Sequence, residues 1–219
     1  QAKVMSTPSL TGSKRGALIV FEGCDRAGKS TQTEKLVKYL NEHGLTAVKG
    51  KFPGIEPLGP IIDNYLKNEV ELCDRAFHFL LSANLWEQES YLKNTILNGK
   101  TLVMDRYAYT GVAYLTAKGL DLNWCKSSYA GLPSPDVVFF MDVPLKEAEK
   151  RDGFGSERFD TSEIQEKARN VYLSLKGPEW KVLDGRQSID ELHEKIANMS
   201  LEVIQKCDVI PIQDLWKNV

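Results

Sequence analysis

The sequence predicts an α/β fold: a doubly wound, five-stranded parallel sheet flanked by helices. Three observations carry this expectation. Short apolar runs alternate with helical patterns along residues 16–206, as right-handed βαβ crossovers require. A glycine-rich segment, G-x-x-x-x-G-K-S, joins the first apolar run to the first helical pattern. No linker, internal repeat or low-complexity tract interrupts the series.

Residues 16–21 (G-A-L-I-V-F) form a continuous apolar run, suited to a strand covered on both faces. Residues 29–43 carry Leu36, Val37 and Leu40 at helical spacing, and Gly44 ends the helix. Residues 45–52 make a second strand. Residues 74–97 read as one long helix closed by Gly99. Residues 101–105 (T-L-V-M-D) and 136–143 (D-V-V-F-F-M-D-V) are the third and fourth strands. Helices at 146–151 and 162–175 flank a Gly-containing loop. Residues 180–184 are the fifth strand, and 188–206 the last helix, with Ile189, Leu192, Ile196 and Met199 in helical register. The expected organisation is a polar, disordered leader over 1–15, with a weak transit peptide left open, and a single domain over 16–219.

The chain has 219 residues, enough for one full core. Its 28 Lys+Arg against 30 Asp+Glu give a formal net charge of -2, without the basic excess of a nucleic-acid binder. Small anionic ligands need only a few placed cations. No apolar run reaches the roughly 18 residues that span a bilayer, so no membrane partner is expected. Cys24, Cys73, Cys125 and Cys207 are scattered, with no C-x-x-C pair, which favours reduced thiols over a disulfide framework or a zinc site.

The segment Gly23–Ser30 (G-C-D-R-A-G-K-S) matches a phosphate loop at every fixed position. Its glycines let backbone N–H groups converge on phosphate oxygens, and the following helix adds its positive end. Lys29 reaches the β- and γ-phosphates, and Ser30 is a Mg²⁺ ligand. The loop announces a nucleoside triphosphate without naming the reaction. Arg26 within it is placed to neutralise a phosphoryl group in transit. Asp105-Arg106-Tyr107 follows the third strand at the carboxyl edge of the sheet, where ligands of such folds bind. The carboxylate suits a magnesium environment and the arginine a phosphate. Residues 151–158 (R-D-G-F-G-S-E-R) suit a mobile lid near 150–162 or a plain helix–helix turn. Residues 184–188 (D-G-R-Q-S) border the same edge, either beside an adenine or as an Asp-Gly turn with a Ser cap.

Several stretches together resemble the thymidylate kinase family. They are R-G-A-L-I-V-F-E-G-C-D-R-A-G-K-S-T-Q (15–32), S-A-N-L-W-E-Q (82–88), D-R-Y-A-Y-T-G-V-A-Y (105–114) and G-F-G-S-E-R-F (153–159), with G-L-P-S-P-D (131–136) and the terminal D-L-W-K. The resemblance implies a P-loop nucleoside-monophosphate kinase fold, of the subclass with an arginine in the loop. It implies ATP with Mg²⁺ as donor, dTMP as acceptor and a homodimer. The reduced thiols point to a cytoplasmic location, with a nuclear or mitochondrial pool left open. The catalytic set would be Asp25, Arg26, Lys29 and Arg106. Arg26, Ala27, Gly28, Lys29, Ser30 and Thr31 would hold ATP, with Arg151 and Gln187 beside the adenine. Ser30 and Asp105 would face the metal. Asp25 would accept from the 3′-hydroxyl of dTMP, and Arg106 would bind its phosphate. Phe52, Leu66, Leu81, Gly111, Tyr114, Phe159 and Gln165 would complete the acceptor site, Tyr114 near the deoxyribose.

The sequence departs from the family pattern on the acceptor side. F-P-E-R-S-T is replaced by F-P-G-I-E-P, one residue shorter and without arginine. The arginine of S-A-N-R-W-E is Leu85, and the stacking phenylalanine is Leu81, with Phe77 or Phe79 as possible substitutes. Two other readings therefore stay open: a kinase with relaxed choice of nucleoside monophosphate, and a nucleotide-binding regulator without transfer activity.

Overall fold

The computed structural model describes residues 15–54, 57–150, 157–207 and 210–217. The five strands are β1 (Leu18–Glu22), β2 (Ala47–Lys51), β3 (Thr101–Asp105), β4 (Val137–Asp142) and β5 (Trp180–Asp184). They form one sheet in the order β2-β3-β1-β4-β5, with every pair parallel. β1, β3 and β4 are central and buried on both faces, which is why they read as unbroken apolar runs.

Alternation along the strands divides the core in two. Leu18, Val20, Leu102, Met104, Val138 and Phe140 face one way, against α3 (Asp74–Glu87), α4 (Glu89–Leu97), α5 (Ala108–Ala117) and α8 (Ser162–Ser174). Ile19, Phe21, Val103, Phe139 and Met141 face the other, against α1 (Lys29–Glu42) and α9 (Ile189–Cys207). The remaining helices are α2 (Gly59–Leu66), α6 (Leu122–Ser127) and α7 (Leu145–Ala148). The expected fold class is the observed one.

Three local expectations are corrected. The helix expected over 74–97 is two helices meeting at Gln88. There the backbone N–H of Gln88 bonds the carbonyl of Leu85, 3.1 Å away, while its side-chain amide takes the Asn84 carbonyl at 3.2 Å. The side chain thus occupies the acceptor that would have continued the α-helical ladder. The helix expected over 146–151 is described only as the single turn of α7. Helices α2, α5 and α6 were not anticipated: Pro60 and the aromatic, β-branched run of 107–114 mask their periodicity. The four cysteines are free thiols.

Candidate active site

The phosphate loop connects β1 to α1. Gly23 (φ 140°), Arg26 (φ 63°) and Gly28 (φ 88°) hold left-handed backbone, the curl that turns successive N–H groups inward. A Cβ on Gly23 would lie 2.6 Å from the Met141 carbonyl oxygen, so β4 leaves no room for any other residue. Gly28 caps α1 without a side chain, leaving that helix end open to an anion.

Lys29 is buried, and its Nζ donates to the Cys24 carbonyl at 2.7 Å. Burial, with the Arg106 charge adding to it, pulls its pKa down to about 8; Asp25 and Asp105 oppose the shift. Ser30 Oγ donates to Asp105 Oδ2 at 2.5 Å, so a hydroxyl and a carboxylate from two elements share one point. Both are oxygen donors, which is what a hard divalent cation takes. No cluster of three His, Cys, Asp or Glu exists among the described residues.

Asp25 lies at the centre of a cage. Arg106 pairs with Oδ1, while Tyr114 Oη (2.8 Å) and Gln165 Nε2 (2.6 Å) donate to Oδ2. Burial pushes the carboxyl pKa up, but the Arg106 and Lys29 charges outweigh it and hold the group at about 2. The Asp25 N–H in turn donates to Gln165 Oε1 at 3.1 Å. Phe159 stacks on Tyr114 with ring centroids 5.4 Å apart.

Arg106 (φ 69°) also donates to the Gly23 carbonyl at 3.1 Å and to Thr110 Oγ1 at 3.3 Å. Its placement depends on Glu22, which the sequence reading did not single out. Glu22 Oε1 accepts from the N–H groups of Tyr107 (2.9 Å) and Thr110 (3.2 Å), and Oε2 accepts from Thr110 Oγ1 (2.7 Å). The last residue of β1 thus caps α5 from outside the helix. The legible signal was a lone acid closing an otherwise apolar strand.

Burial raises the Glu22 pKa to about 7, against the pull of Arg106 and the donors around it. A raised carboxyl pKa means that the folded state holds a proton the unfolded chain has released. Its contribution is complete below about 4.5 and lost as pH rises through about 7. Urea melts of the wild type and Glu22→Gln should therefore diverge in slope. Wild-type stability falls by about 3 kcal/mol more than the variant's between those pH values.

A single cleft of about 1180 Å³ runs across this edge of the sheet. Of the residues expected in the site, Asp25, Arg26, Ala27, Gly28, Lys29, Ser30, Thr31, Phe52, Leu66, Asp105, Arg106 and Gln187 line it. Tyr114 and Gln165 reach it through Asp25, and Phe159 through Tyr114. Leu81 and Gly111 stand apart. Leu81 is buried in the apolar core, and Gly111 faces Tyr129, whose hydroxyl oxygen would lie 2.1 Å from any Cβ there. Leu85 is wholly buried beside Leu81. Phe77 is buried against Tyr65, centroids 3.9 Å apart, whereas Phe79 is exposed and packs edge-on against Trp124. Arg151 and the 151–156 part of the expected lid lie outside the described residues, as does the 1–14 part of the expected leader. At the donor end, Gly185 and Gln187 line the cleft while Ser188 and Glu191 form a reciprocal capping box for α9. The turn takes the Ser-capped form, one of the two readings the sequence left open.

Asn84, from the S-A-N segment, is a second residue the sequence reading gave no role. Its Oδ1 accepts from the Gly54 N–H at 2.7 Å and its Nδ2 donates to the Gly54 carbonyl at 3.4 Å. It clamps the loop that presents Phe52 and Pro53 to the cleft.

A family profile described as thymidylate kinase matches residues 21–196. The chain is 42% identical to the human thymidylate kinase over 209 residues, covering 93% of this chain and 99% of the relative. It is 40% identical to the Arabidopsis thaliana thymidylate kinase over 206 residues, covering 93% and 78%. The solved structure of the Candida albicans thymidylate kinase, an enzyme described as having broad substrate specificity, superposes with a TM-score of 0.85 at 31% identity, covering 93% of this chain and all of that one. With that match spanning most of the chain, and a phosphate loop whose own Asp25 is caged by Arg106 at the edge of one cleft, the chain belongs to the thymidylate kinase family.

Proposed function

We infer that the family reaction, transfer of the γ-phosphate of ATP to dTMP, runs through this cleft with the following division of labour. The loop from Arg26 to Thr31 gathers the donor phosphates on converging N–H groups and the open end of α1. Lys29 and Arg26 neutralise charge on the group in transit. Gln187 and Arg151 flank the adenine. Arg106 grips the acceptor phosphate, and Asp25 accepts from the 3′-hydroxyl. Phe52, Leu66, Tyr114, Phe159 and Gln165 shape the acceptor site around it. Ser30 and Asp105 would hold Mg²⁺, which when bound neutralises polyphosphate charge and orients the donor.

The observation that carries this reading is the continuity of the cleft. Phosphate loop, Arg106 and the Phe52 side share one space, so two nucleotides meet end to end without leaving protein. Residues 16–219 act as one catalytic domain, with the 150–162 segment as its lid. The described root of that lid is tied down: Arg158 forks onto Glu71, donates to the Tyr65 carbonyl at 2.8 Å, and lies 4.0 Å over the Tyr65 ring.

The functional protein is a homodimer. The outer side of α3 offers exposed Phe79 and Trp86 around exposed Ala76 and Ala83, a stripe that a second copy would cover. Free thiols support a reducing compartment, the cytoplasm. Among the described residues no helix is long and apolar enough to cross a membrane.

The departures from the family pattern fall where the base would be read. The inward side of α3 presents Phe77, Leu81 and Leu85, all buried and apolar, and no Lys or Arg stands in 52–66. Without an arginine to read the base at those positions, discrimination falls from the 10⁴–10⁵ of a polar reader to about 10–200-fold, the range of an apolar pocket. Steady-state kcat/KM values for dTMP, dUMP, dCMP and dGMP test both statements. dTMP turnover with ratios within about 200 is expected; no dTMP turnover would remove the function, and ratios above about 10⁴ would remove the relaxed choice.

A further inference from the structure

Two phosphorylated nucleotides bring a large negative charge into a cleft that already holds five carboxylates: Asp25, Asp63, Asp105, Glu157 and Asp160. Its cations are Arg26, Lys29, Lys51 and Arg106. Three of these, Arg26, Lys29 and Arg106, are engaged within the protein. Lys29 donates to the Cys24 carbonyl, and Arg106 is paired with Asp25. Lys51 is not: among the described residues it has no ion pair and no side-chain hydrogen bond, and it is exposed to the cleft.

Its position is set by the sheet. Lys51 is the last residue of β2 and lies in register with Asp105, the last residue of β3. The ladder continues one step further, where the Phe52 N–H bonds the Asp105 carbonyl at 2.9 Å. The strand end bearing Lys51 therefore runs directly beside Asp105-Arg106. Two residues earlier on the same side of β2, Lys49 is held by Glu34 on α1 at 2.7 Å. Asp105 has turned its carboxylate to Ser30. Among the described residues nothing pairs with the charge of Lys51, and its sequence surroundings supply no alternative cation, since residues 52–66 contain neither Lys nor Arg.

We propose that Lys51 is a substrate-binding residue that, beside Arg106, takes the phosphate of the nucleoside monophosphate acceptor. A flexible ammonium at a strand end is suited to a phosphate that must be released as a diphosphate after each turnover, because it binds as a point charge and not as a fixed fork. The inference deepens the reading given under Proposed function and rests on it for the identity of the acceptor.

The test separates the phosphate from the nucleoside. Titration calorimetry measures dTMP, thymidine and ATP binding to the wild type, Lys51→Met and Lys51→Arg, with thermal melts to confirm folding. Lys51→Met is expected to weaken dTMP by about 10–100-fold, the range of one charge-assisted hydrogen bond. Thymidine and ATP should stay within about twofold, and Lys51→Arg should recover most of the dTMP loss. Equal weakening of dTMP and thymidine would overturn the proposal in favour of a role in loop shape. Weakening of ATP alone would assign Lys51 to the donor, and unchanged binding of all three would make it a solvated charge; either result also overturns the proposal. Because binding is read without turnover, the outcome stands apart from whether the wild type phosphorylates dTMP, which is assayed separately by dTDP formation.

Discussion

Replacing Arg106 by alanine is expected to lower kcat/KM for dTMP by at least about 10³-fold and to cost about 3 kcal/mol of stability. Both effects come from one guanidinium. Toward the acceptor it is the fork proposed to meet a phosphate; toward the protein it is the partner of Asp25 Oδ1 in a pair that is mostly shielded from water. Removal leaves a buried carboxylate with only the Tyr114 and Gln165 donors and the more distant Lys29 charge. Arg106→Lys is expected to recover stability better than activity, since an ammonium restores the charge but not the fork.

The acid limb of the stability curve reports the same pair. The Asp25 pKa is depressed from 3.8 to about 2, so its contribution is present above about 3.8 and lost as pH falls through about 2. In Arg106→Ala that limb should move to higher pH. Denaturant melts from pH 2 to pH 6, alongside steady-state kinetics, check both halves. A variant with normal acid stability and only a raised KM would mean that Arg106 binds phosphate but does not organise the loop.

Lys29→Ala is expected to reduce kcat by about 10²–10³-fold with little loss of stability. The asymmetry with Arg106 follows from the partners. Lys29 donates to a backbone carbonyl and suffers from burial and from the neighbouring Arg106 charge, which is why its pKa sits near 8. Its removal relieves that repulsion. In the wild type, ATP affinity should fall as pH rises through about 8, because the phosphates favour the protonated amine that the free enzyme is losing. Calorimetry near pH 8 in buffers of different ionisation enthalpy would show proton uptake on ATP binding by the wild type, and its loss in Lys29→Ala.

Much of the donor half was legible in the sequence, and less of the acceptor half, for a physical reason. Phosphate binding is done by local backbone curvature, so its residues are contiguous and Gly23–Ser30 could be read directly. The sheet was equally plain, because β1, β3 and β4 are covered on both faces and appear as unbroken apolar runs. The acceptor half is assembled across the fold. Asp25 meets Arg106, Tyr114 and Gln165 over separations of 81 to 140 residues. Glu22 supports Arg106 through a helix whose existence the sequence reading missed. Asn84 acts on Gly54 from another helix, one that is interrupted at Gln88 by a side chain competing for a backbone carbonyl. Leu81 and Gly111, taken as substrate contacts by resemblance, are placed by the fold in the apolar core and against Tyr129. No pattern confined to one segment contains such relations.

The most direct test of the account is the dependence of ADP release on acceptor. Purified enzyme with ATP and Mg²⁺ is assayed with and without dTMP, and ADP and dTDP are both quantified. The cleft described here predicts one dTDP for each ADP when dTMP is present, and near silence when it is absent. ADP released at the same rate without dTMP, or with dTMP but without matching dTDP, would contradict direct transfer between two nucleotides in one cleft.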